Sequence, residues 1–184
     1  MYPKREAATS NGQTYFVTSS SAQRKPFFRH ERWASLFLEV LQGYRPEPYL
    51  LHGFVLMLDH FHVLMTPAAS LELAVQCLKG GFSFRAKRAF HWTGDIRSTG
   101  FSDHRVRDEA DFHAHRGYIA KNPVNAGLSS IPESYPYSPA SGAFLLDTFP
   151  RGLKPRESEP PTIGAPEAAP FQSIPRVLES KGTS

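Results

Sequence analysis

Cysteine is almost missing: Cys77 is the only one in 184 residues, which excludes an internal disulfide and a thiolate zinc site. Nowhere does the chain reach the roughly 18 consecutive apolar residues that a membrane-spanning helix needs. Residues 1–20 are polar and lack the apolar centre of a signal peptide. Together these absences predict a soluble, unexported, cytoplasmic protein with no membrane partner. Histidine and excess basic charge are lacking beyond Leu128. That part holds 5 basic and 6 acidic residues and 10 of the 16 prolines, but none of the 8 histidines. The part before it carries 16 basic and 11 acidic residues. Imidazoles and positive charge therefore travel together, and the surplus permits a polyanion partner without demanding one.

What is present is enough for one domain: 40% of the residues are hydrophobic and 12% aromatic. Residues 14–18 are β-branched and aromatic and predict a strand, ended by the Ser-rich stretch that follows. Between His30 and Gly43, the residues Trp33, Leu36, Phe37, Val40 and Leu41 recur at helical spacing. Residues 49–57 and 60–66 are two β-prone runs joined by Leu58-Asp59, a tight hairpin. A second helix starts at Ser70 and runs toward Arg88, with Gly80-Gly81 as a weak point. Residues 101–106 predict a fourth strand. A third helix begins at Arg107 or Asp108, is loaded with acid in its first turn, and is closed by Asn122-Pro123. This order of elements predicts an α+β, ferredoxin-like antiparallel sheet with helices packed on a face. The expected boundaries are a polar lead over 1–13, the domain over 14–149 and a disordered Pro-rich tail over 150–184.

In His60-Phe61-His62 the two imidazoles leave one face of a strand and can reach one metal ion, while Phe61 faces the core. Alone, such a pair is a weak signal and reads more readily as two hydrogen-bonded sheet histidines. The third helix supplies possible company. Asp111, His115, Tyr118 and Asn122 follow at steps of four, three and four and share one helical face. That face is either solvated surface or part of a site in which Asn122 offers an amide oxygen to the ion held by His60 and His62. Tyrosine beside such an ion suits phosphodiester cleavage, because a phenolate can attack phosphorus and be displaced later by a hydroxyl. A phenol ordinarily ionises near pH ~10, so a divalent ion polarising the phosphate would assist. Mg²⁺ or Mn²⁺ is the expected ion, and two imidazoles do not exclude Zn²⁺.

Four blocks occur in order: Tyr15-Phe16-Val17-Thr18, then Met57-x-Asp59-His60-Phe61-His62-Val63-Leu64, then Gly100-Phe101-Ser102-Asp103-His104-Arg105-Val106-Arg107-Asp108, then Tyr118-Ile119-x-x-Asn122-Pro123-Val124-x-Ala126-Gly127-Leu128. With Tyr137-Ser138 after them, they resemble the REP-associated tyrosine transposases of the HUH single-tyrosine class over residues 14–141. The resemblance implies a ferredoxin-like domain with His60 and His62 as metal pair, Tyr118 as nucleophile and Asn122 as third polar ligand. It further implies an endonuclease and strand transferase for single-stranded DNA near imperfect hairpins, leaving a 5′-phosphotyrosine and a free 3′-hydroxyl. The chain departs from the family at Leu58, where proline is common, and at Arg97-Ser98, where Trp-Gln is usual.

On that reading Lys79, Arg85, Lys87, Arg88, Arg105 and Arg107 are candidate phosphate contacts, and Phe82, Phe84 and Trp92 candidate base-stacking groups. Each reads alternatively as solvated charge or core aromatic. Monomer and homodimer are both compatible with the spacing. Two rival functions share the residues: a protein that binds structured repeats without cutting them, and a metal-dependent phosphodiesterase in which water attacks.

Overall fold

A computed structural model of the chain describes residues 12–150 and residue 153. Most of the expected polar lead and nearly all of the expected tail lie outside the described residues. The elements are β1 (Tyr15–Ser20), α1 (Glu31–Gly43), β2 (Tyr49–Leu56), β3 (His60–Pro67), α2 (Leu71–Phe90), β4 (Ser102–Arg105) and α3 (Glu109–Asn125). The sheet order is β2-β3-β1-β4 and every neighbouring pair is antiparallel. This is the ferredoxin-like α+β arrangement expected from the order of elements.

Alternation along the strands decides what each sheet face carries. Tyr15 and Val17 of β1 with Phe61, Val63 and Met65 of β3 join α1 and α2 in one core, through Trp33, Phe37, Leu41, Leu78 and Phe82. The opposite face presents Val55 and Leu64, and these pack on Phe112 and Ile119 of α3. Helices therefore cover both faces of the sheet rather than one. His62 and Thr18 pair across β3 and β1, and Phe16 pairs with Leu64 on one side and His104 on the other. Both rows belong to the α3 face, because Phe16 is packed into that smaller core.

Neither the weak point expected in the second helix nor the end expected for the third interrupts its helix. α2 runs unbroken through Gly80-Gly81. At Gly81 a β-carbon would collide with the ring and hydroxyl of Tyr44, so the missing side chain lets the residue that caps the end of α1 pack closely. α3 continues past Pro123 to Asn125. Pro123 is buried in the last turn, where its missing N–H costs one intrahelical bond, to the carbonyl four residues earlier. The stop is Gly127 at φ 68°, with the Leu128 amide donating to the Pro123 carbonyl at 2.8 Å. At the other end Asp108 caps α3 by accepting from the Asp111 amide, and Ser70 caps α2 through the Leu73 amide.

Candidate active site

β3 brings both histidines to the α3 face of the sheet, and α3 lays its polar side across them. The ring centroids of His60 and His62 are 5.0 Å apart, and those of His62 and Tyr118 are 5.3 Å apart at 82°. Asn122 follows Tyr118 by one turn on the same side of α3, half-buried. Tyr118 is 47% exposed, so its ring lies at the mouth of the site. A shallow groove of about 330 Å³ opens beside it, lined by Phe16, Ala114, His115 and Tyr118.

Each histidine has one ring nitrogen held by a neighbour. His62 Nδ1 lies 2.7 Å from the Thr18 hydroxyl, its partner across the strands. His60 Nδ1 lies 2.6 Å from the Asp59 carboxylate. His62 is 5% exposed, and its Nε2 is buried without a hydrogen-bond partner. Burial, and secondarily the nearby His60, pushes the His62 pKa down to about 4, so the ring is neutral across the physiological range. A neutral imidazole with one nitrogen anchored and the other free and buried has the donor set that a metal ligand requires. The residues present thus fit a divalent ion.

Phe16 is the hub that sequence inspection left as an ordinary strand aromatic. Its ring stacks on His62 at 5.3 Å and also meets His115 at 4.5 Å and Tyr118 at 5.8 Å. Thr18 and Asp59 were likewise not singled out as site residues. The signal available for Thr18 was its parity with Phe16 on β1, which places it on the histidine face once the β1–β3 register is known. Two turns before Tyr118, Asp111 bridges two more imidazoles. Its oxygens lie 3.0 Å from His104 Nε2 and 3.0 Å from His115 Nδ1. Burial pushes the Asp111 carboxyl up, but the His104 hydrogen bond and the Arg107 amide outweigh it, and the net shift is downward.

The six basic candidates do not converge. Lys79 is 6% exposed, and its ammonium donates to the carbonyls of Ser98 and Gly100 at 3.1 and 2.6 Å. It pins the turn leading into β4, and burial lowers its pKa to about 8. Arg85 pairs with Glu39 at 2.9 Å on the surface. Lys87 and Arg88 are exposed on α2, in the layer on the far side of the sheet from Tyr118. The Arg88 guanidinium lies over the exposed Phe84 ring at 5.6 Å. Arg105 and Arg107 are exposed at β4 and the approach to α3, the pair nearest in sequence to the polar face of α3. Phe82 and Trp92 are core aromatics packed around Trp33, which leaves Phe84 as the exposed one of the three.

No protein-family model matches the chain, and no curated protein matches it. Among solved structures, the chain is similar to a REP-associated tyrosine transposase bound to a REP hairpin. The TM-score is 0.62 and the identity 21%, over 84% of this chain and 94% of that one. A candidate transposase from Deinococcus radiodurans R1 aligns with a TM-score of 0.42 and 18% identity, over 65% of this chain and 93% of that one. The first likeness shows that this chain has the fold of a REP-associated tyrosine transposase. Among the described residues no helix is long and apolar enough to cross a membrane.

Proposed function

We propose that this chain, built on the fold of a REP-associated tyrosine transposase, is a metal-dependent endonuclease and strand transferase for single-stranded or hairpin DNA. The observation that carries the reading is the buried, unpartnered Nε2 of His62, in a ring anchored by Thr18 and set edge-on to Tyr118. His60, His62 and Asn122 would hold the ion, Mg²⁺ or Mn²⁺, which supplies polarisation of a phosphate's non-bridging oxygens. Tyr118 is the nucleophile. Its phenolic oxygen attacks phosphorus, the bond to the 3′ oxygen breaks, and that oxygen ends as a hydroxyl carrying the proton the phenol gave up. The product is a 5′-phosphotyrosine, and a second 3′-hydroxyl can reverse the step to join a new strand.

The remaining chain supports this chemistry. Thr18 and Asp59 orient the two imidazoles, and Phe16 walls the site where it would otherwise open toward His115. That Tyr118 and both histidines meet within one chain supports a site complete without a second copy. Arg105 and Arg107 are the phosphate contacts we favour, and the Phe84–Arg88 pair is a separate surface for a single strand. Lys79 is withdrawn from that set because its donors serve backbone carbonyls.

The test is incubation with hairpin DNA carrying the repeats that flank its own gene, with Mg²⁺ or Mn²⁺, followed by denaturing electrophoresis. A metal-dependent protein–DNA adduct is expected, lost in Tyr118→Phe and in His62→Ala. Cleavage without an adduct would replace tyrosine by water as the nucleophile. Binding with neither product would leave a non-cleaving DNA-binding protein.

A further inference from the structure

We propose that His104, Asp111 and His115 form a second divalent transition-metal site, of the zinc class, that clamps edge strand β4 to the first turns of α3. The three residues each offer a donor atom, and these atoms all lie within 4.8 Å of one another. The carboxylate oxygens already lie 3.0 Å from each imidazole nitrogen. Ligands at zinc–nitrogen and zinc–oxygen distances around a tetrahedral ion are roughly 3.4 Å apart, so the two carboxylate–imidazole separations come within tenths of an ångström of that spacing. Asp111 and His115 are four apart on one helix and chelate from one face. His104 completes the set from the adjacent strand, opposite Phe16 in register.

Two further observations favour an ion over a simple hydrogen-bonded cluster. Asp111 is held in place by groups that would steady a ligand: the Arg107 amide donates to its Oδ2 at 3.1 Å, and its own amide is fixed by the Asp108 carboxylate at 2.8 Å. The His104 and His115 rings stack at 4.9 Å and 24° beside a single carboxylate, and His115 Nδ1 also lies 2.8 Å from the Asp111 main-chain carbonyl, a contact that an ion would replace. Two nitrogens and one oxygen suit zinc and its neighbours in the first transition row better than Mg²⁺. His104 is the exposed member, so the cluster is open to ions from solvent. The Phe16 ring, in contact with both His62 and His115, separates this site from the His60–His62 pair.

The site is read out with Co²⁺ as a spectroscopic probe, in equilibrium dialysis of the metal-free full chain, with Zn²⁺ as competitor. His62→Ala is expected to keep one equivalent of Co²⁺ with its visible absorption. His104→Gln and His115→Gln are expected to lose that equivalent, and Zn²⁺ to raise the melting temperature of His62→Ala but not of its double variant with His115→Gln. Asp111→Asn, which keeps the shape of the side chain, repeats the test if a histidine variant folds poorly. The proposal is overturned if His104→Gln and His115→Gln take up as much Co²⁺ as the wild type, or if His62→Ala takes up none. Uptake that survives His62→Ala and disappears with His115→Gln supports this site even if no DNA adduct ever forms, so the two readings fail separately.

Discussion

Replacing Thr18 by valine removes one oxygen from the α3 face of the sheet and keeps the shape and β-branching of the residue. The oxygen lost is the one 2.7 Å from His62 Nδ1. For Nε2 to offer its lone pair to an ion, the proton must sit on Nδ1 and be donated to Thr18. In Thr18→Val that N–H loses its partner beside a ring that is 5% exposed. An unsatisfied buried donor costs about 1–3 kcal/mol, and losing the partner that orients a ligating histidine costs about 10–100-fold in metal affinity, or roughly 1.4–2.7 kcal/mol. The two routes agree. Mn²⁺ binding, followed by titration calorimetry, is expected to weaken by that factor, and adduct formation at limiting Mn²⁺ to fall with it and recover at saturating Mn²⁺. Thr18→Ser restores both, because it returns the hydroxyl. Wild-type Mn²⁺ affinity in Thr18→Val would refute the argument, as would a serine variant no better than the valine one.

Three other outcomes are expected. His62 is protonated in the unfolded chain below its ordinary value near 6.5 but in the folded chain only below about 4. The unfolded state therefore binds the extra proton in that window, and metal-free stability falls by about 3 kcal/mol as pH drops through it; urea titrations of His62→Gln should show a flatter slope there. Asp147 receives both Arg45 Nε and a terminal guanidinium nitrogen at 2.8 Å and the Leu51 amide at 2.7 Å, tying the segment after the last helical turn to β2; chemical denaturation of Asp147→Asn should show a loss of about 2 kcal/mol. Lys79→Met should cost about 1–2 kcal/mol of stability and leave the salt dependence of DNA binding unchanged, whereas Arg105→Ala should lower that slope by about one; a lower slope in Lys79→Met would return that residue to the phosphate contacts.

How far the chain can be read without coordinates depends on the range of the interaction. The order of elements followed from local pattern: helical spacing through Trp33, Phe37 and Leu41, alternation through His60, Phe61 and His62, and the acidic start of α3. Local rules failed where packing overrode them. Gly80-Gly81 does not break α2, and at Gly81 it is Tyr44 that occupies the space a side chain would take. Pro123 does not end α3, because Gly127 supplies the stop.

Which side chains could carry chemistry was legible in the same way, since His-x-His and the four-three-four spacing on α3 each define a face from one segment's own geometry. Charge was read least well: Lys79 and Arg88 look alike along a basic helix, yet one ammonium is buried on two carbonyls and one guanidinium lies on an exposed phenyl ring. Periodicity fixes the direction a side chain leaves its own strand or helix, so the sequence by itself determined that His60 and His62 point one way and that Asp111, His115, Tyr118 and Asn122 share a stripe. Only the tertiary structure decided that these faces meet, with Thr18, Phe16 and His104 between them, because strand register and the choice of sheet face for α3 come from contacts among residues far apart in the chain.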